Sequence, residues 1–285
     1  MINFYILGDM GSGEESQKEV SNAIKDHINK KKNTFICGLG DNIYEEGCTS
    51  INDPQFIEKF EDPYRGISND IKFYMCIGNH DYGQTSSGKG NSIYQINYAR
   101  RSEKKNMKWI MPNNYYTFRK KNNNITIDFF VIDTNTFNLS DKDIKKQLKY
   151  IGNKIKKSDA DWKIVYGHHT WRSIAGHGNA DDDLEEFLTE LFTYAPFDVY
   201  MCGHDHNKQL INMKLNNQNI VLIVCGTGGK VYDDLNDLNH LDNNCSLEFL
   251  SNNLGYAYLK AYKNKMKVLF LNENNIEEGN YTIKK

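Results

Sequence analysis

The chain has 285 residues, 39% of them hydrophobic, six cysteines and a formal net charge of -2 with both signs interspersed. That length suits one large α/β domain over residues 1–285, and no Pro-rich or Gly/Ser-rich linker divides it. The charge balance excludes the basic footprint of a nucleic-acid binder, and no apolar stretch is long enough for a membrane span.

Residues 2–8 read as a strand, 14–32 as a helix, 34–40 as a strand, 54–62 as a short helix and 72–78 as a strand. This βαβ order favours parallel pairing, and continuous apolar runs such as FYMCI mark strands covered on both faces. From Tyr115 the pattern changes, because YYTFR and ITIDFFVID flank KKNNN, the composition of a hairpin. Helices follow at 141–157, starting after Ser140, and at 180–195, with Leu184, Phe187, Leu188 and Leu191 at helical spacing. Strands are predicted at 162–167, 197–202, 208–214, 219–225, 255–262 and 265–271, and the chain ends from Tyr281 as a short polar tail. Two facing sheets with helices outside fit this order better than one doubly wound sheet.

The opening MINFYILGD has too short an apolar run and no basic start for a secretory leader. A cytoplasmic protein is therefore the expectation, or a secreted one if the chain is processed or truncated. Lysine clusters at Lys30 to Lys32, Lys145-Lys146 and Lys156-Lys157 read as solvated helix ends and faces. Cys37, Cys76, Cys202 and Cys225 lie inside apolar strand runs as small buried hydrophobes, which leaves Cys48 and Cys245 as the two placed to pair or react.

Five strand-like runs end in glycine followed at once by a residue that can bind metal: NFYILGD, TFICGLGD, FYMCIGN, WKIVYGH and DVYMCGH. The ligand candidates are Asp9, Asp41, Asn79, His168 and His204, with Tyr44 and His206 a short step beyond. Open α/β sheets form their sites at the carboxyl ends of the strands, so one crevice can collect all seven. Asp9, Asp41 and a Tyr44 phenolate are hard oxygen donors suited to a strongly Lewis-acidic ion, whereas Asn79 and neutral histidines suit a divalent one. His204 and His206, one residue apart in an extended segment, point the same way and can reach adjacent ions. An aspartate with two oxygens can bridge such ions, the arrangement that activates water against a phosphoryl group.

Each candidate alone has a bland reading. Asp9 or Asp41 could cap a turn, Asn79 could be a turn residue, His168 a satisfied core histidine and Tyr44 a packing residue. Those readings fail jointly, because they require independent accidents at one topological position. His27 and His240 read as surface residues, and His169 as support for its neighbour. Arg172 is either a phosphate contact or a surface ion pair.

GDMG, GDNIY, GNHD, VYGHH and GHDH, in that order, resemble the motif set of the calcineurin-like metallophosphoesterases. The GDxxY form with Tyr44 is similar to the purple acid phosphatases, and VYGHHTWRSIAGHG, WIMPNNYYTF, CGTGG and LGYAYL resemble their small, tartrate-resistant branch. The resemblance implies a four-layer α/β sandwich of the metallophosphoesterase type, two mixed β-sheets flanked by helices. It further implies a ferric ion on Asp9, Tyr44, His206 and a bridging Asp41, beside a divalent iron, zinc or manganese ion on Asp41, Asn79, His168 and His204. His80 and His177 would then contact phosphate or protonate the leaving group. The implied activity is hydrolysis of a small-molecule or phosphoprotein phosphomonoester. A phosphodiesterase or nucleotide hydrolase on the same metals, and a non-catalytic scaffold, are the alternatives. Asp81 stands where many purple acid phosphatases carry glutamate, and a reducing compartment favours an all-divalent pair.

Overall fold

A computed structural model describes residues 1–28, 34–83, 91–105, 107–232, 235–236 and 241–285. Lys30 to Lys32 and His240 lie outside the described residues.

Two seven-stranded mixed sheets face each other. The first contains β1 (Ile2–Leu7), β2 (Ile36–Gly38), β3 (Phe73–Met75), β4 (Trp109–Ile110), β12 (Gly255–Ala261), β13 (Lys265–Asn272) and β14 (Glu277–Lys284), in the order β14-β13-β12-β1-β2-β3-β4. The second contains β5 (Tyr116–Asn122), β6 (Ile125–Val131), β7 (Trp162–Tyr166), β8 (Val199–Cys202), β9 (Lys208–Leu215), β10 (Gln218–Cys225) and β11 (Cys245–Ser251), in the order β11-β9-β10-β8-β7-β6-β5. β1 to β4 run parallel, as do β6, β7, β8 and β10. The carboxyl ends of both parallel sets therefore supply one rim.

The inner faces meet through aromatic side chains, as continuous apolar strands covered on both sides require. Phe4 of the first sheet packs at 5.3 Å, ring to ring, on Phe129 of the second, which stacks on Phe118 at 4.7 Å. Phe35, just before β2, joins both Phe4 at 5.4 Å and Phe129 at 5.5 Å. Helix α1 (Glu15–Ile28) covers β12, while α4 (Asp141–Lys156) covers β5 and β6 and packs on α5 (Asp182–Tyr194). This gives the helix–sheet–sheet–helix layering. Ser140 Oγ accepts from Asp143 N to cap α4, and Asp181 Oδ1 accepts from Leu184 N to cap α5.

Several elements differ from the sequence reading. The polar tail from Tyr281 is part of β14, which pairs antiparallel with β13, and residues 245–251 form β11. Both are outermost strands, where polar side chains replace the apolar run that marks a central strand. Helix α3 (Ser92–Lys104) and the two-residue β4 also escaped the periodicity. The short helix near 54–62 forms at Ile57–Glu61, closed by an i to i+5 bond from Asp62 N to Ile57 O. Cys48 and Cys245 do not pair: Cys48 is fully buried, and burial pushes the Cys245 thiol up to about 11. His27 is half-buried rather than at the surface, its ring packed edge-on against Tyr258 at 5.0 Å.

Candidate metal centre

Five connections at the rim carry the seven candidates. Asp9 follows β1, Asp41 and Tyr44 follow β2, Asn79 opens the short helix α2 (Asn79–Tyr82) after β3, His168 follows β7, and His204 and His206 follow β8. Asp9, Asp41 and His204 each have positive φ, at 57°, 50° and 68°. Non-glycine residues adopt this region at a cost of about 1–3 kcal/mol and persist there only where the surroundings over-determine them. Here the backbone is pinned by bonds across the rim: Asp9 N donates to Gly40 O at 3.0 Å, and His204 N donates to Asp9 Oδ2 at 2.9 Å. The preceding glycines make room for the carboxylates. A Cβ on Gly78 would sit 2.1 Å from Asp41 Oδ1, and one on Gly203 would sit 2.3 Å from Asp9 Oδ2.

The seven side chains converge as two adjoining groups. In one, Tyr44 Oη lies 3.0 Å from Asp9 Oδ1 and 3.1 Å from His206 Nε2, and the last two are 3.3 Å apart. In the other, His168 Nε2 lies 3.0 Å from Asn79 Oδ1, 3.2 Å from His204 Nδ1 and 3.3 Å from Asp41 Oδ2. Ligands bound at about 2.0–2.2 Å to one ion along near-perpendicular directions lie roughly 3 Å apart, so each group is spaced to hold a metal ion. Asp9, Asp41 and His168 are also mutually close, within 4.8 Å, and all three are buried. Buried charges of this kind are ordinarily paired or bound to metal.

Hydrogen bonds behind the ring nitrogens select the tautomer. His168 Nδ1 donates to Leu39 O at 2.8 Å, which leaves the Nε2 lone pair facing Asn79, His204 and Asp41. Burial opposes a charge on this ring, but Asp41 and Asp9 outweigh it and push His168 up to about 9 in the metal-free protein. Burial likewise resists ionisation of Asp41, yet His168 and His80 hold its carboxyl well below the usual range. Burial, helped by Asp41 and Asp9, keeps the Tyr44 phenol protonated far above its ordinary range. A cation at this spot reverses that order, since metal coordination drives off such protons. Burial beside His169 and His168 keeps His204 neutral, the form that binds metal.

His80 and His177 flank the donors from two sides. His80 N donates to Asp41 Oδ1 at 3.0 Å, and its Nε2 is 3.9 Å from Asp41 Oδ2. The exposed ring of His177 stacks on His204 at 4.0 Å, and the backbone N–H of His177 donates to Asp205 Oδ1 at 3.0 Å. Asp81 is fully buried and accepts from Asn42 N, Ile43 N, Gly78 N and Gln95 Nε2, clamping the turn after Asp41 to the turn before Asn79. Burial and Asp41 push its carboxyl up to about 6, against the pull of those donors. The departure at Asp81 thus falls on scaffolding rather than on the donor ring.

Arg172 does not face the site. Its guanidinium is tied to Glu185, Asp242 and the Trp171 carbonyl, an anchor for the loop that carries His177. His169 supports its neighbour through Thr134, whose Oγ1 accepts from the N–H of both His168 and His169 and lies 2.8 Å from His169 Nδ1. Sequence reasoning missed Thr134, Glu45, Lys230 and Tyr232. Lys230 lies over the Tyr44 ring at 4.0 Å, and Tyr232 stacks on His206 at 4.4 Å. For Lys230 and Tyr232 the signal was the glycine-rich CGTGG after a strand, which places the following residues at the same rim.

Two facing mixed sheets with a donor-lined rim define a metal-dependent phosphoesterase architecture. The calcineurin-like phosphoesterase model matches residues 2–208, and the chain belongs to that family. It is 29% identical over 297 residues to tartrate-resistant acid phosphatase type 5 of Homo sapiens, covering 95% of this chain and 87% of that protein. Among solved structures it resembles purple acid phosphatase PPD1 from Lupinus luteus seeds, with a TM-score of 0.75 and 16% identity over 99% of this chain and 53% of the other. It also resembles GAP50, the anchor in the inner membrane complex of Plasmodium, with a TM-score of 0.81 and 23% identity over 99% and 88% of the two chains. Membership makes the chain a phosphoesterase-type hydrolase and implies a binuclear metal centre.

Proposed function

We propose that the protein is a phosphomonoesterase of the purple acid phosphatase type. Asp9, Tyr44 and His206 would hold one ion and Asn79, His168 and His204 the second, with Asp41 available to both. The observation that carries this reading is the meeting of two donor groups with about 3 Å internal spacing beside one buried aspartate. The phenol and carboxylate favour a ferric ion in the first place, and the amide and imidazoles favour divalent iron, zinc or manganese in the second. When bound, the pair supplies an activated water and clamps the phosphoryl oxygens.

The chain's own residues supply positioning and the proton. Asp41 is held by the His80 N–H, which fixes where its second oxygen points. His177, exposed and stacked on His204, has an imidazole free to protonate a leaving-group oxygen, while the more sheltered His80 orients the phosphate. An exposed acid suits a small-molecule or phosphoprotein monoester that enters from solvent.

Similarity to GAP50 raises a second reading, an anchor that has kept the fold. The full set of seven donors argues for catalysis, because an anchor has no need of them. Metal analysis of the purified protein with a screen of mono- and diester substrates separates the readings. The proposal expects two ions per chain and monoester turnover; a protein with both ions and diester turnover alone, or with no turnover, overturns it.

A further inference from the structure

Glu45 follows Tyr44 directly, and Lys230 reaches it from the loop after β10. The Lys230 Nζ is 2.7 Å from Glu45 Oε1 while also lying 4.0 Å from the Tyr44 ring centroid. His80 approaches the same residue from the other side, with Nδ1 2.6 Å from the Glu45 carbonyl oxygen and 3.6 Å from Oε2. The side chains differ sharply in shelter: Lys230 is 15% exposed and His80 18%, but Glu45 is 65% exposed. Lys59 donates to the Tyr44 carbonyl and to Gln55 Oε1, so it holds the backbone of this segment.

An exposed carboxylate thus sits between a sheltered ammonium and a sheltered imidazole, beside the donors that a phosphate ester must reach. A pair with one member this exposed is worth little, so the carboxylate can swing away at small cost. The lysine is different. It has a second hold, over the Tyr44 ring at 4.0 Å, and a lysine so placed is a point-charge partner for phosphate.

We propose that Glu45 is a specificity-determining residue: an internal anion that occupies Lys230 and so disfavours substrates bearing a second phosphate group. A simple monoester needs only the metal-facing donors and is little affected. A second phosphate must displace Glu45 to reach Lys230, and that competition sets the discrimination. This inference rests on the phosphoesterase reading of the same site.

The test compares binding of inorganic phosphate and of imidodiphosphate to the metal-loaded full chain by calorimetry, with metal content checked after each titration. Glu45→Gln should tighten imidodiphosphate relative to phosphate by about five-fold, the scale of one partly screened charge pair. Adding Lys230→Met to that variant should abolish the gain. An unchanged ratio in Glu45→Gln, or a gain that survives Lys230→Met, overturns the inference, as does a loaded protein that binds neither anion. A loaded protein that binds both anions but hydrolyses no ester overturns the phosphatase reading while the ratio still decides the role of Glu45.

Discussion

The two halves of the candidate metal centre are built from different materials. The half with Asp9, Tyr44 and His206 is overlain by residues of the loop after β10, with Lys230 above the phenol ring and Tyr232 stacked on the imidazole. The half with Asn79, His168 and His204 is instead surrounded by further imidazoles, His169 at 4.5 Å and His177 at 4.0 Å from the His204 ring. A cation over the Tyr44 ring favours the phenolate form, whereas burial among other imidazoles disfavours a charge on His204. The first half is arranged to stabilise an anionic Tyr44, and the second to keep His204 neutral. This contrast matches a trivalent-type site beside a divalent-type one, the assignment proposed above.

Removing the residue shared by the halves should have the largest effect. Asp41→Asn is expected to lower metal content in both places and reduce kcat by about 10³-fold or more, since on the proposed assignment it removes the charge shared by both ions. Full activity with two ions per chain would remove Asp41 from the bridge.

The next change separates the halves. Tyr44→Phe should weaken only the first ion and, where that ion is ferric, abolish a violet phenolate band while far-UV circular dichroism stays unchanged. Stoichiometric ferric iron without a visible band in the unmodified protein counts against the Tyr44 bond.

His177→Ala probes the second half without touching a donor. Turnover of alkyl phosphates should fall by about 10²-fold or more, while nitrophenyl phosphate, whose leaving group needs little protonation, falls far less. Equal losses on the two substrates would leave His177 as a binding residue, and lost metal would mean it is itself a ligand.

The smallest effect concerns the anchor beneath His177. Burial opposes ionisation of Glu185, but Arg172, Thr189 and Trp171 outweigh it and hold the carboxyl below its ordinary value of 4.5. A lowered folded-state value stabilises the fold above the unfolded value, and that contribution is lost as pH falls through the folded one. Glu185→Gln should therefore flatten the pH dependence of thermal stability below about pH 4.5, by less than about 1 kcal/mol after solvent screening. An unaltered acid limb in the variant would show that the pair contributes nothing.

Much of this was legible from residue order. Asp9, Asp41, Asn79, His168 and His204 each follow a strand and a glycine, and parallel strands end on one side, so their convergence follows from local pattern and connection rules. Central strands such as FYMCI were visible because they are covered on both faces. The outer strands β11 and β14 were not, because their polar alternation resembles loop.

What the amino-acid order determined by itself was the set of candidate donors and the rim they share, because donor chemistry and strand-glycine punctuation are local properties. Tertiary structure alone decided which donors share an ion-sized group, that Arg172 turns to Glu185 instead of the site, and that Asp81 clamps two turns. It also brought Glu45 and Lys230 to 2.7 Å across 185 positions of chain. No local periodicity encodes that pair, since it depends on how two loops from different sheets close over the same phenol ring.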